Sequence, residues 1–183
     1  MAMKSIWSAT FVALSFSGCS VPAEQHAPLA TVESVDLARY AGTWHEIARY
    51  PNRFQRDCAS DTTATYVPLD RGRIEVRNRC RRTDGSDLAV TGVAEVVDAR
   101  TNAKLKVSFL PAWLRWTGIG RGDYWVLYLS PDYRVAVIGE PSRTFLWILA
   151  RTPTLAERDY EALMPKIRAA GYTAERLLRS ASR

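Results

Sequence analysis

The side chains that could do metal or acid–base chemistry are few, and their spacing suits neither task. The chain has two histidines, His26 and His45, and neither has cysteines or carboxylates at the spacing of a zinc site or a catalytic triad. The glycine-rich run 118–122 lacks the third-glycine spacing and the following helix of a phosphate-binding loop. The sequence therefore predicts no catalytic residue, no metal site and no cofactor. The alternative is acid–base work by Glu46 or Tyr66 in a dry protein interior.

The first cysteine, Cys19, follows an apolar run and two small residues, Ser17 and Gly18. The run is too short to span a bilayer as a helix. Its end resembles the lipobox of bacterial lipoproteins, in which the cysteine is acylated, and Ser20 resembles the sorting pattern for the outer membrane. We therefore expect a lipoprotein signal peptide over 1–18, a lipidated tether with little to bury over 19–35, and one domain over 36–183. An ordinary signal peptide with a chance cysteine is the alternative.

The other two cysteines, Cys58 and Cys80, belong to a predicted hairpin. Segments 62–67 and 73–80 alternate in polarity, and residues 68–72 between them carry turn chemistry. Residues paired across an antiparallel hairpin keep a constant index sum, so a turn near residue 70 brings Cys58 close to Cys80. An even pair of cysteines in an exported chain is typical of a disulfide. We predict this bridge, with two free thiols as the alternative.

The formal net charge of +6 suits an anionic partner. Export argues against nucleic acid, so an anionic lipid surface is the better fit. The chain that remains after a signal peptide is removed is long enough for one domain with a substantial core.

Eight short segments that are apolar or alternate in polarity follow one another, each bounded by glycine, proline, aspartate or asparagine. They cover the strand that starts at Trp44 and residues 62–67, 73–80, 90–97, 104–109, 124–129, 134–138 and 144–150. Sequential pairing and closure would remove both exposed edges, so we predict an all-β fold with an eight-stranded antiparallel up-and-down barrel. One C-terminal α-helix should pack outside it, capped by Thr154 and Glu157, interrupted at Pro165 and ended by Gly171.

Two segments resemble motifs of the lipocalin family. Residues 36–49 fit a pattern that joins a turn capped by Asp36 to a strand through Gly42 and Trp44, and residues 146–153 place Arg151 after the last strand. The resemblance covers residues 36 to about 178 and is closest to bacterial outer-membrane lipocalins, more distantly to apolipoprotein D. The first and last strands of a closed barrel are neighbours. We therefore expect Arg151 to stack on Trp44 and seal the barrel floor.

The resemblance implies an outer-membrane lipoprotein that stores or transports small amphipathic lipids, such as lysophospholipids or fatty acids, and is not an enzyme. Its expected partners are that lipid and the membrane, through acylated Cys19. Nucleic acid is not expected, and a homodimer is left open. An envelope scaffold that binds proteins and a lipid isomerase-type enzyme are the alternatives.

Period two from Trp44 and Arg151 predicts which side chains line the barrel and bind the ligand. They are Glu46, Ala48, Tyr50, Ala64, Tyr66, Val76, Asn78, Ala94, Val107, Phe109, Tyr124, Val126, Tyr128, Val137, Phe145 and Trp147. Ala48, Ala64, Gly92 and Ala94 are small, which argues against the alternative of a barrel filled by its own side chains.

The loops after odd-numbered strands should surround the open end. Arginines interleaved with aromatics in these loops suit phosphate head groups and a bilayer interface. The predicted membrane-facing rim consists of Arg53, Phe54, Arg81, Arg82, Trp113, Arg115 and Trp116. A solvated basic rim with packed loop aromatics is the alternative.

Overall fold

A computed structural model describes residues 27–115 and 117–182, apart from the side chain of Arg115, and shows one antiparallel sheet closed on itself. Its strands are β1 (Gly42–Arg49), β2 (Ser60–Pro68), β3 (Arg73–Arg81), β4 (Asp87–Val96), β5 (Lys104–Ser108), β6 (Arg121–Leu129), β7 (Val135–Gly139), β8 (Leu146–Ala150) and β9 (Leu178–Arg179). Sequential strands pair from β2 to β8, and β1 pairs with both β8 and β2. The predicted eight-stranded barrel is confirmed. The short β9, which pairs with the end of β1, was not predicted.

The described residues include four short helices, α1 (Leu37–Tyr40), α2 (Ala112–Arg115), α3 (Glu157–Glu161) and α4 (Met164–Ala169). Asp36 caps α1, because its Oδ1 accepts the backbone N–H groups of Ala38 and Arg39. Gly42 then begins β1 with a φ of +91°, a conformation that favours glycine. In this part of the chain, none of the helices is both long and apolar enough to cross a membrane.

The C-terminal helix is divided into two. The α3 helix begins after Ala156, whose side chain cannot accept a hydrogen bond, so the capping box predicted at Thr154 is wrong. The α4 helix begins after Leu163 and has Pro165 in its first turn, where a missing N–H is tolerated. The interruption therefore precedes the proline, and Gly171 follows the end of α4 as predicted.

Two β-bulges change which side chains face the barrel interior. In β1 the register to β8 shifts between Glu46 and Ala48, and in β6 the register to β7 shifts between Val126 and Tyr128. A bulge adds one residue to one strand, so the alternation of side chains reverses beyond it.

Hydrophobic packing forms two clusters, one inside the barrel and one outside it. The interior cluster contains Trp44, Tyr66 and Leu105. The outer cluster lies between the strand face of β7, β8 and β1 and the two C-terminal helices, which contribute Leu163 and Ile167. The outer position of the C-terminal helices is confirmed.

Residues 29–35 pack against the barrel, so the prediction of a tether with little to bury is wrong for them. Leu29 and Val35 are buried. The backbone N–H groups of Val32 and Val35 donate to the carbonyl oxygens of Val126 and Thr101. These apolar residues are isolated in sequence and show no period, because each covers a different part of the barrel. Residues 1–26, with the predicted signal peptide and Cys19, lie outside the described part of the chain.

Candidate functional site

The closed end of the barrel is sealed by a tryptophan and an arginine. Trp44 is fully buried, and its Nε1 donates to the carbonyl of Tyr40 at 2.8 Å. The guanidinium of Arg151 lies 4.0 Å from the centroid of the Trp44 ring, as predicted. Its nitrogens donate to the carbonyls of Thr43, Arg39 and Tyr40. This stacking contributes about 0.5–2 kcal/mol and closes the floor of the barrel.

Three tyrosine hydroxyls form a chain above this floor. The Tyr124 hydroxyl lies 2.8 Å from that of Tyr40 and 2.9 Å from that of Tyr66. Burial raises the pKa of Tyr66 to about 12 and holds the pKa of Tyr40 and Tyr124 well above the usual value. All three therefore stay protonated at neutral pH, which makes Tyr66 a poor general base.

Little space remains in this part of the interior, which we call the closed half and define by Tyr40, Trp44, Tyr66, Leu105 and Tyr124. A cavity of about 20 Å³ lies among the tyrosines and the apolar side chains around them. That volume has room for about one water molecule. The closed half is therefore filled mainly by its own side chains.

Towards the other end, inward-facing apolar side chains are exposed. The β3–β4 register pairs Asn78 with Val90 on the same face as the interior residues Val76 and Ala94. Yet 46% of Val90 is exposed, as is 42% of Phe109. We call this part the open half and define it by Arg49, Asn78, Val90, Phe109 and Trp147.

Phe109 fills the space that a glycine leaves in the wall. A Cβ atom added to Gly92 would lie 2.7 Å from the Phe109 ring and 2.6 Å from the carbonyl oxygen of Ser108. Gly92 therefore provides room for an aromatic side chain and does not by itself provide an empty cavity.

Three aromatic rings form one wall of the open half. Phe54 lies 5.4 Å from Phe145, and Phe145 stacks on Trp147 at 5.9 Å between centroids. The Nε1 of Trp147 donates to Oε1 of Gln55 at 2.9 Å. The rings of Phe54 and Phe145 are apolar, whereas the indole N–H of Trp147 donates a hydrogen bond. The wall therefore has an apolar and a polar part.

A buried carboxylate lies beside this aromatic wall. The Glu46 side chain is 2% exposed, and its Oε1 accepts from Nη1 of Arg49 at 3.1 Å and from the Ser180 hydroxyl at 2.6 Å. Its Oε2 accepts from Nε2 of Gln55 at 2.5 Å. The C-terminal segment thus contributes Ser180 to the interior, and Ser180 is fixed there because its N–H donates to the carbonyl of Ile47. Glu46 thus helps to hold Arg49, Ser180 and Gln55 in place.

The structure places most of the predicted lining residues inside the barrel. The interior cluster and the side chains packed against it contain Ala64, Tyr66, Val76, Ala94, Val107, Tyr124, Val126 and Trp147. Glu46, Asn78, Phe109 and Phe145 lie on the same inward faces by register or ring contact. Contact of these residues with a ligand stays a prediction.

Four predicted lining residues lie outside. Ala48, Tyr50, Tyr128 and Val137 belong to the outer cluster under the C-terminal helices. The bulge in β1 explains the first two and the bulge in β6 explains Tyr128. In β7, Ala136 and Ile138 face inward instead of Val137.

The bulge in β1 also brings an unpredicted charge inward. Arg49 is the cross-strand partner of Trp147 and therefore shares its inward face, although strict alternation puts it outside. Gln55 and Ser180 were not predicted either, because they reach the interior from a loop and from the end of the chain. One sequence signal was available: a strand with apolar residues on both faces, as in Ile47 and Ala48, is compatible with a bulge.

The rim residues in the described chain surround the open end. Phe54, Trp113, Arg53 and Arg81 are exposed and Arg82 is half-buried. Trp116 and the side chain of Arg115 lie outside the described part of the chain. Arg81 lies 3.4 Å from Asp87, so its charge is partly compensated. The predicted disulfide between Cys58 and Cys80 is confirmed, with 5.5 Å between their Cα atoms, and it fastens the loop after β1 to the end of β3.

A second depression lies on the outer surface, between residues 27–30, β6, β7 and α4. It has a volume of about 630 Å³, and Leu29, Tyr128 and Lys166 are among its lining residues. Within residues 27–115 and 117–182, no group of three or more His, Cys, Asp or Glu side chains could hold a metal ion.

Comparisons with known proteins agree with this architecture. A sequence model of the family described as "Lipocalin-like domain" matches residues 35–182. Temperature-induced lipocalin-1 of Arabidopsis thaliana is 41% identical over 151 residues, which cover 81% of this chain and 80% of that protein. Outer membrane lipoprotein Blc of Escherichia coli K12 is 35% identical over 165 residues, covering 90% and 88%. The solved structure of insecticyanin from Manduca sexta shares the fold, with a TM-score of 0.64, 19% identity and 85% coverage of each chain.

Proposed function

The chain belongs to the lipocalin family, and from this premise we propose that it binds a small amphipathic lipid, such as a fatty acid or lysophospholipid, in the open half of its barrel. The observation that carries the proposal is the exposure of inward-facing apolar side chains, above all Val90 and Phe109. Apolar surface that lies in a concave wall and contacts water is the surface that a hydrocarbon chain would remove from water. The bound lipid would be stored or carried in the cell envelope.

The rim supports uptake of this lipid from a bilayer. Several large hydrophobic side chains at the open end are exposed, namely Phe54, Val90, Phe109, Trp113 and Ile119. Trp113 and Ile119 are each 71% exposed in the loop between β5 and β6. Together with Arg53 and Arg82, they offer apolar groups to the acyl region and cations to phosphates.

The proposed location is the outer membrane, with the chain anchored through acylated Cys19. The similarity to bacterial outer membrane lipoproteins and the small residues before Cys19 support it. Single acyl chains bind membranes weakly, and anchoring becomes stable with two chains or with a second contact. The rim would supply such a contact.

We further propose that the chain acts by binding and not by catalysis. The buried Glu46 carboxylate accepts hydrogen bonds from Arg49, Ser180 and Gln55, so its oxygens take part in holding neighbouring side chains. The buried tyrosines stay protonated at neutral pH. Groups held in one protonation state are poorly suited to transfer protons.

A second candidate function is a protein-binding scaffold of the envelope. The observation that favours it is the filled closed half, whose cavity of about 20 Å³ cannot take an acyl chain. In that case the exposed Trp113 and Ile119 would form a partner surface.

The experiment that separates these functions is lipid uptake by the full-length protein. The protein is purified, stripped of lipid and titrated with oleate and with 1-oleoyl lysophosphatidylcholine, and tryptophan emission is followed because Trp147 lines the open half. We expect saturable binding of one lipid per chain. A matched titration with a Trp147→Phe variant identifies the part of the signal that comes from the interior. If neither lipid binds, the lipid-binding proposal is wrong and the scaffold is favoured.

A further inference from the structure

The β1 bulge places an arginine among the apolar and aromatic side chains of the open half. Arg49 is the cross-strand partner of Trp147, whose ring lies in the interior. The Arg49 side chain is 16% exposed, so its charge is largely withdrawn from water. Withdrawing a cation costs free energy unless oxygen acceptors replace the lost water.

Those acceptors satisfy the guanidinium only in part. Nη1 of Arg49 donates to Glu46 at 3.1 Å, and Nη2 donates to the carbonyl oxygen of Gln55 at a long 3.4 Å. The Nε of Arg49 is buried and has no hydrogen-bond partner among the described residues. A guanidinium has five N–H groups, so the protein leaves donors of Arg49 unused.

Glu46 does not supply the missing acceptor, because its two oxygens accept from three other donor groups and neither bonds Nε of Arg49. Oε1 accepts from Arg49 and Ser180, and Oε2 accepts from Gln55. These contacts hold the guanidinium in place, which makes Glu46 a positioning residue. A rigidly held guanidinium loses little freedom when a further oxygen binds it.

A second unsatisfied polar atom lies in the open half. Oδ1 of Asn78 is buried and has no hydrogen-bond partner in the described part of the chain. Asn78 faces inward on β3, two residues beyond Val76 towards the open end. In the closed half, by contrast, the Trp44 indole, the Arg151 guanidinium and the three tyrosine hydroxyls are each within hydrogen-bond distance of a partner.

We propose that Arg49 is the head-group receptor of the barrel and selects amphiphiles with an anionic head, carboxylate or phosphate. Nε and an Nη of a guanidinium form a planar fork that matches two oxygens of such a head. The hydrocarbon chain would lie against Val90 and Phe109, and the Phe54–Phe145–Trp147 stack would form the wall beside the head. This inference rests on the proposed lipid binding and narrows its ligand class.

The test compares three probes with the same hydrocarbon chain on the full-length protein. Oleate carries a carboxylate, 1-oleoyl lysophosphatidate carries a phosphate and oleyl alcohol is neutral. We expect one or both anions to bind at least about ten-fold more tightly than the alcohol, since charge-assisted hydrogen bonds are stronger than those between neutral groups. Which anion gains more identifies the head group.

Variants then assign the preference to Arg49. Arg49→Gln should remove the anion preference and leave binding of oleyl alcohol within about two-fold, and Arg49→Lys should keep part of it because a charge remains without the fork. Arg56→Gln is the matched control, since it removes one exposed arginine from the loop after β1, outside the proposed binding site, and should keep the preference. The double variant Glu46→Gln/Arg49→Gln avoids an uncompensated buried carboxylate if Arg49→Gln unfolds.

Each contradictory outcome has a distinct meaning. Equal binding of the three probes by the unmodified protein would overturn the role of Arg49 and leave lipid binding intact. An equal loss of all three probes in Arg49→Gln would make Arg49 structural and would also overturn the inference. Binding of none of the probes by the unmodified protein would contradict the proposed function itself.

Discussion

The closed and open halves of the barrel interior differ in how completely their polar groups are paired. In the closed half, Trp44 and Arg151 donate to main-chain carbonyls and the tyrosine hydroxyls bond to one another. In the open half, Nε of Arg49 and Oδ1 of Asn78 have no partner among the described residues, and Val90 and Phe109 are exposed. Under the proposed function, the closed half stabilises the fold and the open half provides the surface for the ligand.

The largest expected effect on stability belongs to the floor. Trp44→Ala removes a fully buried indole that carries the stacked Arg151. We expect it to lower the free energy of unfolding by about 3–5 kcal/mol, as large-to-small core changes do. Trp113→Ala at the open end should change it by less than about 0.5 kcal/mol, because Trp113 is mostly exposed. Urea denaturation measures both, and similar losses would remove the distinction between the two halves.

The disulfide is the main covalent support of the open end. It closes a loop with a sequence separation of 22 residues. Replacing both Cys58 and Cys80 by serine should lower the free energy of unfolding by about 3 kcal/mol according to loop-closure entropy. The reduced unmodified protein is the control and should lose a similar amount in the same denaturation. Retention of full stability by the double variant would show that the loop after β1 is held by its other contacts.

The tyrosines predict a loss of stability in alkali. The pKa of Tyr66 is raised by burial to about 12, against about 10 in the unfolded chain. Between pH 10 and about 12 the native state therefore keeps a proton that the unfolded state releases. The free energy of unfolding is unaffected by Tyr66 below about pH 10 and falls as the pH rises towards 12. The loss from Tyr66 alone reaches roughly 3 kcal/mol. Thermal unfolding between pH 8 and 12 measures it, and Tyr66→Phe is the control that should flatten the decline.

Substitutions of exposed apolar residues at the open end should have the smallest effect on stability and the largest effect on membrane binding. The double variant Trp113→Ala/Ile119→Ala removes two side chains that are each 71% exposed. Its unfolding should be unchanged, while binding to vesicles that contain anionic phospholipid should weaken about ten-fold through lost apolar contact. Val67→Ala/Leu69→Ala, on exposed residues near the β2–β3 turn at the closed end, is the matched control. Equal vesicle binding by all three proteins would show that the rim does not face the membrane.

The sequence predicted the barrel because its signals are local and repeated. Each strand of the barrel has a polarity pattern and a turn beside it, and the Asp36 cap, Gly42 and the Trp44–Arg151 pair follow from residue types at fixed places. The pairing of Cys58 with Cys80 followed from the constant index sum of residues that pair across an antiparallel hairpin.

The candidate site was less predictable, because one extra residue at a β-bulge reverses which side chains of the strand face the barrel interior. Ile47 and Leu127 lie at the two bulges and are ordinary strand residues. The apolar run at Ile47 and Ala48 is compatible with a bulge but is equally compatible with a regular strand buried on both faces. Ala48 and Tyr50 therefore lie under the C-terminal helices and Arg49 faces the interior, each on the face opposite to the one that strict alternation predicts. In β7, Val135 to Ile138 are all apolar, because one face contacts the interior and the other the helices, so alternation carried no information there.

The division between the two halves is tested most directly by two indole N–H groups. Nε1 of Trp44 donates to Tyr40 in the closed half, and Nε1 of Trp147 donates to Gln55 in the open half. In ¹H–¹⁵N spectra of the full-length protein, with the Trp147 signal assigned through Trp147→Phe, oleate should shift the Trp147 resonance and leave that of Trp44 in place. A shift of Trp44 with Trp147 unmoved, or no shift of either at saturating oleate, would contradict the assignment of ligand binding to the open half.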